Sequence, residues 1–197
     1  EVTASGAAIA SATAIGIAFY GCRRAQVNQV SVYNFQAGVG QYWTGNGSGA
    51  GFGATNLIID PFLSTNKTGI LTDASGGSAS THGVVQGGTI SGGSLVGTLY
   101  GFDAACESWS INDTDINFII LRSGANNTDL VGPRFELGSG TAITINANVN
   151  YTLIVSPKLI SGTALLSDSG FKTQMVPSDQ STDSLLESLK VLRSKQV

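Results

Sequence analysis

The sequence predicts a mainly β protein: a β-sandwich of jelly-roll or immunoglobulin-like type, with an extended N-terminal strand arm and a short C-terminal helix. Three observations carry this expectation. Residues 2–20, VTASGAAIASATAIGIAFY, alternate in side-chain size with a period of two, as an extended strand with two unlike faces does. From residue 27 to 156, short apolar runs alternate with Gly, Asn, Asp and Ser clusters at the spacing of strands and turns, roughly eight to twelve residues. The last twenty residues change to a helical period. The expected division is an arm over 1–21, a sandwich domain over 22–177 and a helical tail over 178–197.

In the arm, the even positions from Ala4 to Ala18 are all Ala or Gly, and the odd positions from Ile9 onward are mostly larger: Ile9, Ser11, Thr13, Ile15, Ile17 and Phe19. No charge interrupts the run after Glu1. A membrane-spanning or pilin-type helix is the rival reading, because Ala favours helix and the run approaches the length of a span. The strict alternation, the β-branched positions and the glycines favour strand. The run lacks the basic flank of a signal peptide. Glu1 as first residue, with Met175 the sole methionine, reads as a processed or trimmed chain.

Strands are expected at 27–35, 94–102, 116–122, 130–137, 141–146 and 150–156, with shorter apolar pieces at Leu57–Ile59, GILTD, HGVVQ and GTISGG. A Gly-rich stretch at 36–56 contains Tyr42, Trp43 and Phe52. No repeat of fixed period is evident. In the tail, Ser184 and Glu187 have the spacing of a capping box, and Leu185, Leu189 and Leu192 fall on one helical face. Lys190, Arg193 and Lys195 sit late, as the helix dipole favours. A helix over about 184–195 is expected, its leucines against the domain.

Composition restricts function. Charged residues make up 12 % of the chain and apolar residues 42 %; the formal net charge is −3. That balance argues against a nucleic-acid partner, which needs clustered Lys and Arg. The low charge leaves a surface solubilised by neutral polar groups, which loses little in acid. Cys22 and Cys106 are the two cysteines. They would form a disulfide in an exported chain or stand as two buried thiols. Five Asn-X-Ser/Thr sequons, at Asn46, Asn66, Asn112, Asn126 and Asn150, are candidates for N-glycosylation.

Catalytic constellations are weak. His82 is the single histidine, and with so many serines a Ser-His-Asp arrangement has almost no specificity. Too few Cys and His exist for a zinc site. Asp113 and Asp115 read as an Asx-turn rather than a calcium site, since no closing Glu completes an EF-hand loop. The Gly-rich loop lacks the Lys-Ser/Thr ending of a phosphate loop. No enzyme activity, cofactor or metal is expected.

An uncharged terminal strand needs a partner for its backbone and cover for its apolar face. Another copy of the same chain can supply both, as in donor-strand complementation. The larger odd residues would then plug a neighbour's core. Such a head-to-tail contact does not close and makes a filament. On its arm (residues 1–20), β-rich body and sequons the chain resembles the archaeal threads, glycosylated pilus-like fibres of thermoacidophiles. The resemblance implies an extracellular, cell-surface filament of identical subunits, N-linked glycans, and no stable membrane insertion. The alternatives are a viral jelly-roll capsid protein with a swapped arm, and a secreted carbohydrate-binding β-sandwich using Tyr42, Trp43 and Phe52.

Overall fold

The computed structural model of the chain describes residues 3–5, 13–45, 53–73, 80–92, 100–104, 108–136, 140–161 and 164–177. They form strands joined by turns, with no helix among them. The chain winds through seven coils of three strands each. The first coil contains β1 (Thr3–Ser5), β2 (Ile15–Tyr20) and β3 (Gln26–Asn28). The second contains β4 (Ser31–Tyr33), β5 (Val39–Thr44) and β6 (Gly53–Ile59), the third β7 (Phe62–Asn66), β8 (Thr68–Asp73) and β9 (Ser80–Gln86). The fourth contains β10 (Thr89–Gly92), β11 (Tyr100–Ala104) and β12 (Ser110–Asn112), the fifth β13 (Asp115–Ile116), β14 (Ile119–Leu121) and β15 (Thr128–Val131). The sixth contains β16 (Arg134–Glu136), β17 (Thr141–Ile145) and β18 (Thr152–Val155), the seventh β19 (Lys158–Ser161), β20 (Ala164–Asp168) and β21 (Gln174–Val176).

Each strand pairs with the strand three places on, always in parallel, giving three seven-stranded sheets. Sheet A runs from β1 to β19, sheet B from β2 to β20 and sheet C from β3 to β21. This is a three-sided parallel β-solenoid, a fold of stacked coils around one continuous core. The mainly β expectation holds. The jelly-roll or immunoglobulin-like sandwich does not describe the topology, because those folds pair their strands antiparallel. Short strands separated by turn residues look alike in both. The difference lies in whether a strand meets its neighbour in sequence or the strand one coil later. The helix expected over 184–195 lies outside the described residues.

A repeat is present, with a variable interval. At the corner between sheet C and the next coil's sheet A the same six-residue unit recurs: Val27–Val32, Ile58–Leu63, Val85–Ile90, Ile111–Ile116, Leu130–Phe135 and Ile154–Leu159. The first and sixth residues point inward. All twelve are buried except Val27 and Leu159, at opposite ends of the stack, which are partly buried. The third residue always has left-handed backbone: Gln29, Asp60, Gly87, Asp113, Gly132 and Ser156 have φ between 45° and 66°. Its N–H donates to a carbonyl of the following coil, from Gln29 N to Ile59 O at 2.9 Å through Ser156 N to Val176 O at 2.7 Å. The corner is therefore a hydrogen-bonded ladder that holds successive coils in register at this point, while β7–β10 and β16–β19 shift register further along sheet A.

A second left-handed column marks the corner between sheets B and C. Arg24, Thr55, His82, Ser108, Asn127, Tyr151 and Lys172 all have φ between 53° and 60°. None is glycine, so the corner is held by its packing against local preference. Thr55 is exposed and β-branched, the least tolerant type at positive φ. Replacing it by glycine is expected to raise stability by about 0.5–1 kcal/mol, the relief of strain less the added unfolded-state entropy. An increased urea midpoint would show this; an unchanged or lower one would mean that the corner carries no such strain.

The core is a set of inward columns. Val32, Leu63, Ile90, Ile116 and Phe135 line sheet A; Ile58, Val85, Ile111, Leu130 and Ile154 line sheet C; Ile70, Ile119 and Ile143 line sheet B. Each is at most 2 % exposed. In the first coils aromatic rings fill the interior: Phe19 stacks on Trp43 at 3.8 Å between centroids, and Trp43 meets Trp109 edge-on at 6.1 Å.

Candidate functional site: the N-terminal edge

The arm is the stretch expected from the sequence to carry an assembly site, and the structure shows where part of it lies. Ile15–Tyr20 is β2, the first strand of sheet B, paired in parallel with β5 from Ile15↔Val39 to Tyr20↔Thr44. Val39 N donates to Ala14 O and Gly21 N to Thr44 O, both at 2.9 Å, and these bonds extend the pairing past each end. Thr3–Ser5 pairs with β4 in the same sense. Thus the stretch expected as a separate arm over 1–21 is, in its described parts, the first coil of the solenoid. Ile9 and Ser11 lie outside the described residues. Thr13 is exposed.

The alternation in size has a local reason here. Ile17 and Phe19 pack on the core while Ala18 and Tyr20 face out. Gly16 is a position of close approach: a Cβ there would lie 2.4 Å from Val32 Cγ1 and 2.7 Å from the Gly40 carbonyl oxygen. Ile15 is 37 % exposed and Tyr20 60 %. Sheets A, B and C begin at β1, β2 and β3, so no strand among the described residues covers the far side of these three. The backbone groups that face away from the stack have no charged neighbour on the same strands: TAS, IGIAFY and QVN contain none. Protected edges ordinarily carry a charge or a proline.

The other sequence candidates separate clearly. Asn66 is fully buried, its Nδ2 donating to Val32 O at 2.9 Å and its Oδ1 accepting from Phe35 N at 3.1 Å. It is an interior corner residue, and this fold leaves no space for a glycan on it. Asn126 and Asn150 meet across adjacent coils: Asn126 Oδ1 accepts from Asn150 N at 2.8 Å. Asn112 is half-buried and accepts from Ser110 Oγ at 2.9 Å. Asn46 and Cys106 lie outside the described residues. Cys22 is half-buried, its Sγ 3.8 Å from the Tyr20 carbonyl oxygen. Trp43 is 1 % exposed, so it is unavailable for stacking on a sugar; Tyr42 is half-buried with its hydroxyl donating to Asp73 Oδ2 at 3.2 Å, and Phe52 lies outside the described residues.

Elsewhere the surface offers shallow grooves. One, on sheet A, contains Asp115 and Arg134, adjacent-coil partners whose charged groups are 3.3 Å apart and about half exposed. Another, on sheet C, contains Asn127, Asp129, Tyr151 and Lys172, with Lys172 Nζ donating to Tyr151 Oη at 3.1 Å. His82 is exposed with Nδ1 2.9 Å from Thr81 Oγ1. Among the described residues no group of three or more His, Cys, Asp or Glu is placed to hold a metal ion, and no helix is long and apolar enough to cross a membrane.

Desolvation raises the Asp129 carboxyl above its ordinary value. The folded state therefore holds this proton more tightly than the unfolded one. Its contribution to stability is fully present below the ordinary carboxylate range and is lost as pH rises through the raised value. Asp129→Asn is expected to stabilise the protein at neutral pH and to flatten its pH profile just above that range. Thermal melts of both proteins from acid to neutral pH measure this; parallel profiles would disprove it.

Comparison of the chain with protein-family models, curated proteins and solved structures returns no match.

Proposed function

We propose that this chain is a structural subunit of an extracellular filament that grows end to end, the N-terminal edge of one solenoid seating on the C-terminal edge of the next. The observation that carries the reading is the edge formed by β1, β2 and β3, whose strands carry no charge and which no strand among the described residues covers. All strands are parallel, so the first coil of one copy has the same polarity as the coil that would come after β19, β20 and β21 of another. Joining them continues three sheets at once by backbone hydrogen bonds. The contact is heterologous and does not close, which gives a fibre rather than a shell.

This reading alters the donor-strand idea in one respect. Ile15–Tyr20 need not leave its own chain, since among the described residues only one of its two edges is paired there. Identical subunits are the partner. N-linked glycans, if the host attaches them, would have to avoid the interior at Asn66.

Negative-stain microscopy of the concentrated protein tests the proposal. Long fibres are expected from the wild type. Ala18→Lys with Tyr20→Lys places two charges on outward positions of β2 and should leave a monomer with unchanged circular dichroism. Wild-type protein that stays monomeric, or closes into particles, overturns the filament reading; closed particles would favour the capsid alternative.

A further inference from the structure

We infer that the groove on the outer face of sheet C, across its fifth to seventh coils, is a binding site for a neutral sugar whose ring lies against Tyr151. The left-handed corner between sheets B and C stacks Asn127, Tyr151 and Lys172 one above another in these three coils. Beside them Asp129, Leu153 and Gln174 form the adjoining column of the sheet. Asp129 and Gln174 are exposed, and Leu153 lies half-buried between the buried Thr152 and Ile154, so this column faces outward. The two columns border a groove of about 240 Å³ that opens to solvent.

Its middle coil is apolar and the coils on either side are polar. Tyr151, 53 % exposed, supplies a ring and Leu153 an aliphatic side chain. Asn127 and Asp129 on one side, with Lys172 and Gln174 on the other, supply two amides, a carboxylate and an ammonium. Among the described residues no hydrogen bond or ion pair engages the side chains of Asn127, Asp129 or Gln174. Lys172 Nζ uses one of its three protons on Tyr151 Oη, at 3.1 Å, and keeps two. The same Nζ lies 4.8 Å from the centre of the Tyr151 ring and 5.4 Å from that of Phe171, which is also exposed. A lone exposed aromatic needs no explanation; two rings held by one ammonium make a preformed aromatic surface.

A pyranose ring matches this pattern. Its C–H groups form an apolar face that packs on an aromatic ring, and its hydroxyls, at the rim, both donate and accept. The amides and Lys172 donate to them; the amides and Asp129 accept. The groove is smaller than the roughly 300–1,000 Å³ of sites for drug-sized ligands, so it suits one or two sugar rings rather than a large cofactor. Charge selects against ionic ligands. Asp129 and Lys172 oppose one another across two coil steps, roughly 10 Å, which leaves no net charge for a phosphate or a cation to pair with. The groove lies on the side of the stack, and the inference does not rest on the filament reading. In a fibre the site would recur once per subunit and bind a sugar-bearing surface with avidity.

Titration of the full-length monomer with cellotetraose, maltotetraose and mannotetraose, followed by amide NMR, tests the assignment. At least one should bind in the millimolar range, saturating by about 10 mM, with shifts centred on β15, β18 and β21. Tyr151→Asn removes the ring but keeps a residue that accepts left-handed backbone. It should weaken that sugar by about tenfold or more and leave circular dichroism unchanged. Tetragalacturonate, an anionic chain, should bind more weakly than the neutral sugars. No shifts from any of the three neutral sugars, shifts centred on another face, equal affinity in the variant, or tetragalacturonate as the tightest ligand would each overturn the proposal. Should the variant fail to fold, the wild-type shift map and the order of affinities decide. All of this is read on monomer, so the absence of fibres leaves the sugar test intact, and the absence of sugar binding leaves the filament reading intact.

Discussion

Trp109→Ala is expected to cost about 3–5 kcal/mol of stability, read as a large fall in the urea midpoint. Trp109 is 1 % exposed and stands edge-on to Trp43, which in turn stacks on Phe19. Removing it leaves a void in a stacked interior that cannot collapse without breaking coil register. The site has a second half. Gly83 lies beneath the ring, and a Cβ at 83 would sit 2.4–2.5 Å from three of its carbon atoms. An indole held by rotamer and neighbours cannot yield as a flexible chain would, so Gly83→Ala should cost about 1–3 kcal/mol. The double variant should cost less than the sum of the two, because alanine at 83 occupies part of the space the indole vacates. Strict additivity would show that the glycine is not there for the tryptophan.

Asn66→Ala is expected to lose about 2–4 kcal/mol, from two buried backbone groups left unpaired at about 1–3 kcal/mol each. The amide serves Val32 O and Phe35 N at once, tying the sheet A strand of the third coil to the turn of the second. Asn66→Asp separates the two bonds. A carboxylate still accepts from Phe35 N but faces the Val32 carbonyl without a proton to donate. This variant should be weak at neutral pH and recover as pH falls, when the protonated acid can donate again. Denaturation of the three proteins at neutral and acid pH is the measurement. An Asn66→Ala protein as stable as wild type would remove the interior role assigned to the residue.

Asn66 also shows how far the sequence can be read. As a sequon it is indistinguishable from Asn112; only the fold turns one inward and leaves the other half-buried at a strand end. The strands themselves were largely legible. Thr141–Ile145 and Thr152–Val155 fall within the runs expected at 141–146 and 150–156. The run expected at 27–35 is two strands bent at Gln29, where φ is 52°. A glutamine carries no turn signal, whereas Asp60-Pro61 and Gly132-Pro133 at the equivalent corner do. Lined up on that corner, the six units from VNQVSV to IVSPKL are the signal that could have revealed the solenoid. Their interval falls from 31 residues between Val27 and Ile58 to 19 between Ile111 and Leu130, which hides them from any search at fixed period.

Short strands and turns, little charge and an N-terminal run of two unlike faces were all set by the amino-acid sequence without help from the fold. Those properties are local: side-chain alternation and turn chemistry act over a few residues, and both survive in the structure at β2, β17 and β18. Pairing was not local. Whether Ile15–Tyr20 would lie free or against Val39–Thr44 depends on coils closing over a shared interior, through contacts a whole turn of the solenoid apart. It took the assembled stack to place Phe19 on Trp43, turn Asn66 inward and make Ile15–Tyr20 the first strand of sheet B. The physical reason is that parallel strands meet only after a long connection, so what decides their partner is the packing of the core between them.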